Sequence, residues 1–375
     1  MPGSTLGIFG SGQLGRMLTF IAKRMGYRVV IFSPDRDSPA GQVADREIVG
    51  QYDDRNAVEA FAGACDVITL EFENIPVQAV RWATEITPVH PGEGVLHVAQ
   101  DRIIEKETLR DAGLPVTPFR PAFNEGDVRH AVDELGLPIV LKTARSGYDG
   151  KGQRIIRDIA DITQAIRELD SDRLVAEKMI DFQREVSILV YRNTRGEIGT
   201  YPLIENHHSN HILDYSICPA VGGPSLETSA RQIALKTADA LSLVGLLCIE
   251  LFVCLGDRLL INELAPRPHN SGHLTIEAFD CCQYQQQLRA ICGLPLATQN
   301  PSQPAAMANL LGDLWLSGPP AFDKALAIDS VQLHLYGKDQ AVPGRKMGHL
   351  TATGATTDQA LERVLEARSL CSRIA

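Results

Sequence analysis

The sequence lacks the features that mark several classes of protein. Its 375 residues carry a net charge of −10 and contain no long run of Lys or Arg, which argues against a nucleic-acid-binding face. No basic segment precedes the first apolar residues, and Glu250 interrupts the longest apolar stretch, so we expect neither a secretory signal nor a membrane span. The eight cysteines include no C-x-x-C pair. Together these features predict a cytoplasmic protein with reduced cysteines.

The first hundred residues alternate strand and helix patterns. Three short strands are predicted, at 6–9, 28–32 and 66–70. Apolar residues at helical spacing run from Leu14 to Met25, and this alternation predicts a doubly wound parallel sheet. The segment Gly10-Ser-Gly-Gln-Leu-Gly15 matches G-x-G-x-x-G, with Asp35 after the second strand. A dinucleotide site is one interpretation, and a tight turn that binds no nucleotide is the other.

The remainder of the chain mixes strands and helices without strict alternation, which predicts an α+β region. Helical segments are predicted over 103–136, separated by Gly113-Leu-Pro115. Strands are predicted at 138–142, 154–156, 174–177, 186–190 and 331–335. A Pro-rich linker near 293–304 precedes a small last domain, which ends in a helix around 361–365.

Two glutamates face each other in a predicted hairpin. The apolar runs on either side of Gly256-Asp257 predict two strands joined by a two-residue turn. Counting outward from that turn pairs Glu250 with Glu263 on one face, with Cβ atoms roughly 5 Å apart. Like charges at that spacing are destabilising, and oxygen ligands favour Mg²⁺, so the pair predicts a cation site. The alternative is a different register that leaves one glutamate exposed.

A second glycine-rich loop, 146–153, has the composition of a phosphate-binding loop. Three glycines let backbone amides approach anionic oxygens, and Lys151 adds positive charge. It is not a Walker A motif, because Arg145 stands where that motif needs Gly, and Gly152 where it needs Ser or Thr. We favour a flexible hairpin that closes over a nucleotide; an ordinary turn is the alternative.

Motifs along nearly the whole chain resemble those of the N5-carboxyaminoimidazole ribonucleotide synthetases. These are ATP-grasp ligases, also described as the ATPase subunit of phosphoribosylaminoimidazole carboxylase. The matching segments follow the family's order: 10–17, 71–74, 100–102, Lys142, 147–153, 177–178, 262–273 and 343–349. The resemblance implies an ATP-grasp fold in three parts. They are a pre-ATP-grasp α/β domain at 1–100, an ATP-grasp domain at 101–300 with a lid near 113–182, and a small β-rich C-terminal domain at 301–375.

The resemblance also implies roles for individual residues. ATP would be bound by Arg102, Lys142, Gly147, Tyr148, Asp149, Gly150, Lys151, Gly152, Gln153, Glu177, Lys178, Met179, Ile180, Glu185 and His208. Mg²⁺, with Mn²⁺ as the alternative ion, would be held by Glu250 and Glu263, with Asn262 beside it. Bicarbonate would meet Arg267, His269, Asn270 and His273, although a structural role is as plausible for each His. The ribonucleotide substrate would contact Gln13, Leu14, Glu71, Glu73, Lys338, Arg345 and Lys346.

The implied reaction belongs to de novo purine (IMP) biosynthesis. ATP would phosphorylate bicarbonate to carboxyphosphate, and the amine of 5-aminoimidazole ribonucleotide would then capture the carboxyl group. The resemblance further implies a homodimer. The alternatives are a formate-dependent glycinamide ribonucleotide transformylase, a dehydrogenase that uses the first glycine loop, and an ATP-binding regulatory protein without catalysis. The presence of Glu250, Glu263, Lys142 and Arg267 argues against the last.

Overall fold

The computed structural model describes residues 3–147 and 150–372. Its strands are β1 (Thr5–Phe9), β2 (Arg28–Ser33), β3 (Arg46–Val49), β4 (Val67–Leu70), β5 (Phe119–Ala122), β6 (Ile139–Thr143), β7 (Gln153–Ile156), β8 (Leu174–Lys178), β9 (Phe182–Arg192), β10 (Ile198–Thr200), β11 (Ile204–Ser209), β12 (Ile212–Cys218), β13 (Gly245–Cys254), β14 (Arg258–Ala265), β15 (Ala305–Leu311), β16 (Val331–Leu335) and β17 (Lys346–Thr353). Its α-helices are α1 (Gln13–Arg24), α2 (Arg55–Ala62), α3 (Val77–Thr84), α4 (Glu93–Ala99), α5 (Arg102–Asp111), α6 (Glu125–Leu135), α7 (Ile162–Leu169), α8 (Pro224–Ala240), α9 (Thr275–Ala278), α10 (Gln283–Ile291), α11 (Phe322–Ala325) and α12 (Thr357–Cys371). Within these described ranges, none of the helices has both the length and the apolar character needed to cross a membrane.

The N-terminal sheet is parallel, with strand order β3-β2-β1-β4, as the alternating pattern predicts. Apolar side chains of α1 and α10 cover one face, and those of α2 and α3 cover the other. The edge strand β3 was not predicted. Its Arg-Glu-Ile-Val sequence is only partly buried, so it lacks the apolar run that marks the inner strands.

A second sheet lies within the segment predicted as a lid, and we call it the lid after that prediction; it is antiparallel, with strand order β5-β8-β6-β7. Strands β6 and β7 form a hairpin around the second glycine loop, which confirms the predicted connection. Helices α6 and α7 bury their apolar sides against this sheet. The expectation of purely helical structure over 103–136 is wrong at β5. Its Pro121 is tolerated because β5 lies at the sheet edge.

The central sheet has nine strands, in the order β14-β13-β9-β11-β12-β15-β17-β16, with β10 paired to β9. Helix α8 packs on the part formed by β9 and β13. The predicted strand β16 and the final helix α12 are confirmed. Strands β15 and β17 were not predicted, and they extend the central sheet from β12 without a break. The three-domain division with boundaries at 100 and 300 stays a prediction.

Candidate functional site

The hairpin of β13 and β14 brings the two glutamates together. Glu250 pairs directly with Glu263, which confirms the predicted register at this point. The predicted two-residue turn is wrong, because Cys254 pairs with Arg258 and leaves three residues in the turn. A β-bulge at Asn262 then shifts the register by one residue and restores the opposition.

Glu250 and Glu263 have different electrostatic surroundings. Burial raises the pKa of Glu250, but His269 outweighs it from 3.0 Å (Nε2 to Oε1) and brings the pKa down to about 2. Burial and the charge of Glu250 together raise the pKa of Glu263, against the influence of Arg102, whose Nη2 lies 3.7 Å from Oε2. The pair therefore concentrates negative charge that a cation would neutralise.

The donor set around the bulge suits a hard cation. Two carboxylates face each other there, and Asn262 Oδ1 is buried without a hydrogen-bond partner in the described part of the chain. Oxygen ligands of this kind are those that Mg²⁺ prefers. The described residues contain no group of three or more His, Cys, Asp or Glu able to hold a metal ion. Two carboxylates would thus leave coordination positions to phosphate oxygens and water.

Lys142 lies on the lid beside a buried carboxylate. It pairs with Val175, two residues before Glu177, so both polar side chains lie on one face of the sheet. Lys142 Nζ is 3.2 Å from Glu177 Oε2, and Lys106 Nζ is 3.3 Å from the same oxygen. Burial raises the pKa of Glu177, but the two lysines overcome it and lower the pKa to about 2. Sequence reasoning missed Lys106 entirely.

Arg102 connects the second glycine loop to the glutamate pair. Its guanidinium donates to the carbonyls of Gly147 (2.7 Å) and Thr143 (3.3 Å), and it also lies beside Glu263. Tyr148 and Asp149 fall outside the described residues. Of the other predicted loop residues, Gly147, Gly150, Lys151 and Gly152 lie between β6 and β7, and Gln153 begins β7. The arrangement couples the position of the loop to that of Glu263.

The segment 177–180, whose residues are predicted to bind ATP, joins the lid to the central sheet, and we call it the hinge. Glu177 and Lys178 end β8, and Met179 and Ile180 lead into β9. On β9, Glu185 lies beside His208, with Nδ1 3.3 Å from its Oε2. Both residues are among those predicted to bind ATP, and the structure brings them together.

Sequence reasoning also missed an aromatic pair at this hinge. Phe252 pairs with Glu185 across the strands, and its ring stacks on Phe182 at 4.5 Å and 13°. Phe252 is two residues from Glu250, so both side chains point to the same face of β13. The spacing of two residues between Glu250 and Phe252 is visible in the sequence and could have indicated that their side chains share one face of the strand.

Arg267 is held by Glu73. Its Nε and Nη2 form a bidentate contact with that carboxylate, Nη2 at 3.1 Å. Burial disfavours the charged guanidinium, but Glu73 outweighs this and raises the pKa of Arg267. Glu73 was predicted to contact the ribonucleotide, and the structure instead shows both of its oxygens on Arg267. The contact orients the guanidinium fork.

The other predicted bicarbonate residues are also engaged within the protein. His269 contacts Glu250 through Nε2 and Ser271 Oγ through Nδ1, at 2.9 Å. Asn270 exchanges two amide hydrogen bonds with Asn309 of β15. The structure thus gives His269 and Asn270 well-defined positions beside the glutamate pair.

His273 is fully buried rather than facing an open pocket. The Tyr284 hydroxyl lies 3.0 Å from its Nδ1, and the ring of His349 lies 4.6 Å from the His273 ring. Burial lowers the pKa of His273 well below its ordinary value. These contacts favour the structural alternative for this residue.

The first glycine loop binds a carboxylate of the protein itself. The amides of Gly12 and Gly15 donate to Glu71 Oε1 (2.6 Å) and Oε2 (3.0 Å). In a dinucleotide fold, the amides at this helix N-terminus bind the pyrophosphate, so their use by Glu71 argues against that interpretation. Leu14 packs into the core, which leaves half-buried Gln13 as the loop side chain able to reach a ligand.

The predicted phosphate-binding cations come close together in the C-terminal region. Lys338 Nζ donates to the Lys346 carbonyl at 2.7 Å, and exposed Arg345 donates to the Gln340 carbonyl at 3.0 Å. Their charges also reach the rest of the site. Burial raises the pKa of Glu71, and Lys338 is among the charges that oppose this rise. Lys346 likewise helps to lower the pKa of Glu250 against burial.

Comparison with known proteins finds matches along most of the chain. Three family profiles match: the ribonucleotide synthetase preATP-grasp domain at 3–100, the ATP-grasp domain at 107–284, and the phosphoribosylaminoimidazole carboxylase C-terminal domain at 305–363. The N5-carboxyaminoimidazole ribonucleotide synthase of Bacillus subtilis is 42% identical over 366 residues, covering 97% of this chain and 95% of that one.

Solved structures agree with these matches. The Staphylococcus aureus N5-carboxyaminoimidazole synthetase complexed with ADP superposes with a TM-score of 0.91 at 37% identity, over 98% of this chain and 97% of that one. The Aspergillus clavatus synthase in complex with ADP and 5-aminoimidazole ribonucleotide gives a TM-score of 0.91 at 30% identity, over 99% of both chains.

Proposed function

This chain belongs to the N5-carboxyaminoimidazole ribonucleotide synthase family of ATP-grasp ligases, and we propose on that premise how its residues act. It uses ATP to convert 5-aminoimidazole ribonucleotide to N5-carboxyaminoimidazole ribonucleotide, a step of purine biosynthesis. The observation that carries the assignment of residues is the opposed pair Glu250 and Glu263, with Arg102 beside it. Phosphoryl transfer needs positioning and charge neutralisation more than covalent chemistry by the protein.

In the first step, ATP phosphorylates bicarbonate to give carboxyphosphate and ADP. Lys142 and Arg102 bind the phosphates, and the loop between β6 and β7 closes over them. Glu250 and Glu263 would hold Mg²⁺, with Asn262 beside it, and an ion bound there would supply neutralisation of charge on the phosphate oxygens.

The adenosine lies at the hinge. The backbone of Glu177 to Ile180 reads the adenine edge, and Phe252 offers an apolar ring beside it. Glu185, which is held by His208, accepts hydrogen bonds from the ribose hydroxyls. This placement puts the nucleotide between the lid and the central sheet.

In the second step, the substrate amine forms a bond to the carboxyl carbon and the bond from that carbon to the phosphate oxygen breaks, so that phosphate leaves with the electron pair and takes up the proton lost by the amine. Arg267, oriented by Glu73, binds the bicarbonate and carboxyphosphate oxygens. Lys338, Arg345 and Lys346 bind the phosphate of the ribonucleotide. The contacts of Glu71 and His273 within the protein support structural roles for those two residues instead.

The decisive assay follows ADP release and the fixation of labelled bicarbonate. Both should depend on 5-aminoimidazole ribonucleotide, ATP and Mg²⁺ together. ADP release that ignores the ribonucleotide would refute the assignment. Formate with glycinamide ribonucleotide tests the transformylase alternative, added NAD tests the dehydrogenase, and binding of ATP without any turnover would indicate the regulatory protein.

We further propose a cytoplasmic homodimer. All eight cysteines are unpaired, which supports a reducing compartment. The family resemblance supports the dimer. Sedimentation equilibrium should give twice the mass of one chain, and a single-chain mass would contradict the proposal.

A further inference from the structure

Lys106 is a buried cation that contacts two parts of the candidate site. Its side chain is 1% exposed, on α5. Nζ donates to Thr117 Oγ1 at 2.7 Å and to the Asn262 carbonyl at 3.1 Å, and it lies 3.3 Å from Glu177 Oε2. A buried lysine requires compensation of this kind, so these three contacts fix its position.

The Asn262 carbonyl that Lys106 binds belongs to the bulge of β14. A bulge residue stands outside the regular ladder of strand hydrogen bonds, so its carbonyl is open to another donor. The segment 115–117 is hydrogen-bonded to the same strand through the backbone. The Ile261 amide donates to the Pro115 carbonyl at 2.7 Å, and the Thr117 amide donates to the Ile261 carbonyl at 3.3 Å. Lys106 and Thr117 therefore meet directly beside the residue that precedes Glu263.

The other side of the network reaches the lid. Glu177 Oε2 is shared by Lys106, Lys142 and the Thr117 hydroxyl, at 3.3, 3.2 and 3.0 Å. With Lys106 present, the charge of Glu177 is balanced without Lys142. Without Lys106, Lys142 is the remaining cation beside a buried carboxylate, and the attraction holds it there.

We infer that Lys106 is a positioning residue, which ties the bulge beneath the glutamate pair to Glu177 and so leaves Lys142 available for the nucleotide phosphates. The inference rests on the proposed function only in taking the bound ligand to be a magnesium nucleotide. It assigns Lys106 no contact with any substrate.

The test measures binding of MgADP by calorimetry, in the whole protein and without turnover. Lys106→Met keeps the length of the side chain and removes the charge. We expect affinity for MgADP to fall roughly tenfold to a hundredfold, the usual effect of removing a supporting contact around a metal site. Lys236→Met is the matched control, because Lys236 is an exposed lysine that also donates to one backbone carbonyl, that of Gly113. Its affinity should equal that of the wild type.

A second substitution separates positioning from general loss of structure. Adding Glu177→Gln to Lys106→Met removes the carboxylate that would capture Lys142, so we expect at least about threefold recovery of MgADP affinity over the single variant. An MgADP affinity in the double variant that does not recover, or that falls further, would overturn the inference. Wild-type affinity in folded Lys106→Met would also overturn it.

Should Lys106→Met fail to fold, Thr117→Val decides. It keeps the side-chain shape and removes the hydroxyl shared by Lys106 and Glu177. We expect a several-fold loss of MgADP affinity, and an unchanged affinity would overturn the inference. The readout is nucleotide binding, so the test of Lys106 remains valid even if the protein shows no carboxylation. Failure of this inference and failure of the proposed function can therefore be told apart.

Discussion

Replacing Glu263 with Gln should stabilise the protein and abolish its turnover. Glu263 opposes Glu250 across the hairpin, and both burial and that neighbouring charge raise its pKa. Without a cation, the two carboxylates repel. An amide of nearly the same shape removes the repulsion, and it also removes a ligand that the magnesium nucleotide needs.

The size of the stabilisation follows from the geometry. Directly opposed residues have Cβ atoms roughly 5 Å apart, and unit charges at that distance repel by about 3 kcal/mol at an effective dielectric constant of about 20. The attraction of Arg102, 3.7 Å from Glu263, is of the same size and nearly cancels this repulsion, so the stabilisation comes mainly from removing a partly buried charge and is no more than about 1 kcal/mol. For 375 residues the unfolding entropy is roughly 0.8 kcal/mol per kelvin, so the Tm should rise by about 1 °C.

The assay is thermal unfolding with and without MgADP, alongside ADP release. Wild type should gain thermal stability when MgADP is added, and Glu263→Gln should gain little, with kcat at least about 100-fold lower. Glu362→Gln, on the exposed side of α12, is the control and should behave as wild type in both measurements. A Glu263→Gln protein that is less stable than wild type, or one that turns over normally, would refute the opposed-carboxylate reasoning.

Three further predictions concern the surrounding contacts. Arg267→Lys keeps the charge but loses the bidentate contact with Glu73, so kcat/KM for bicarbonate should fall about 10- to 100-fold in steady-state assays. An unchanged kcat/KM would exclude a role for the guanidinium group in binding bicarbonate. His269→Gln should cost about 3 kcal/mol in urea unfolding at pH 7, from the drop in the pKa of Glu250 to about 2. Burial lowers the pKa of His269, but Cys248 and Glu250 raise it to about 10. The stabilisation of the folded protein by His269 is therefore full below pH 6.5 and disappears as the pH rises through about 10. A difference in unfolding free energy between the variant and the wild type that does not shrink near pH 10 would contradict the ion pair. Glu71→Ala removes the acceptor of two amides of the first glycine loop and should lower the Tm by about 2–4 °C. Calorimetry should detect no NAD binding in the variant or the wild type, and an unchanged Tm would contradict a stabilising role for the contacts of Glu71.

Apolar periodicity predicts the inner strands of this fold and misses those whose role depends on their neighbours. Strands β1, β2 and β4 carry the apolar run of a buried parallel sheet, and the pattern finds them. Strand β15 is buried along almost its whole length, but its Ala-rich sequence has little strand propensity. Its small side chains suit the close packing of α12 on the sheet, and that partner lies some fifty residues further along the chain.

The site residues became recognisable through motifs, but their contacts did not. Arg267 and Glu73 both belong to matching segments, and the sequence gives no sign that they bind each other across 194 positions. Lys106 has no motif at all. A lysine on a helix with polar neighbours is ordinarily solvent-exposed, so no rule of patterning predicts its burial. Its role depends on a bulge and on a strand of the lid, neither of which is near it in sequence.

The hairpin shows why a correct pair can follow from an incorrect turn. The structure has one residue more in the turn than predicted, and one residue more in β14 at Asn262. Because the two additions offset each other, counting from either turn pairs Glu250 with Glu263. The predicted and the observed hairpin still differ at the carbonyl of Asn262. In the observed hairpin the bulge leaves this carbonyl open, and Lys106 binds it. A regular hairpin would oppose the same glutamates without that attachment to α5, so we attribute the position of the pair relative to Lys142 to the bulge rather than to the turn.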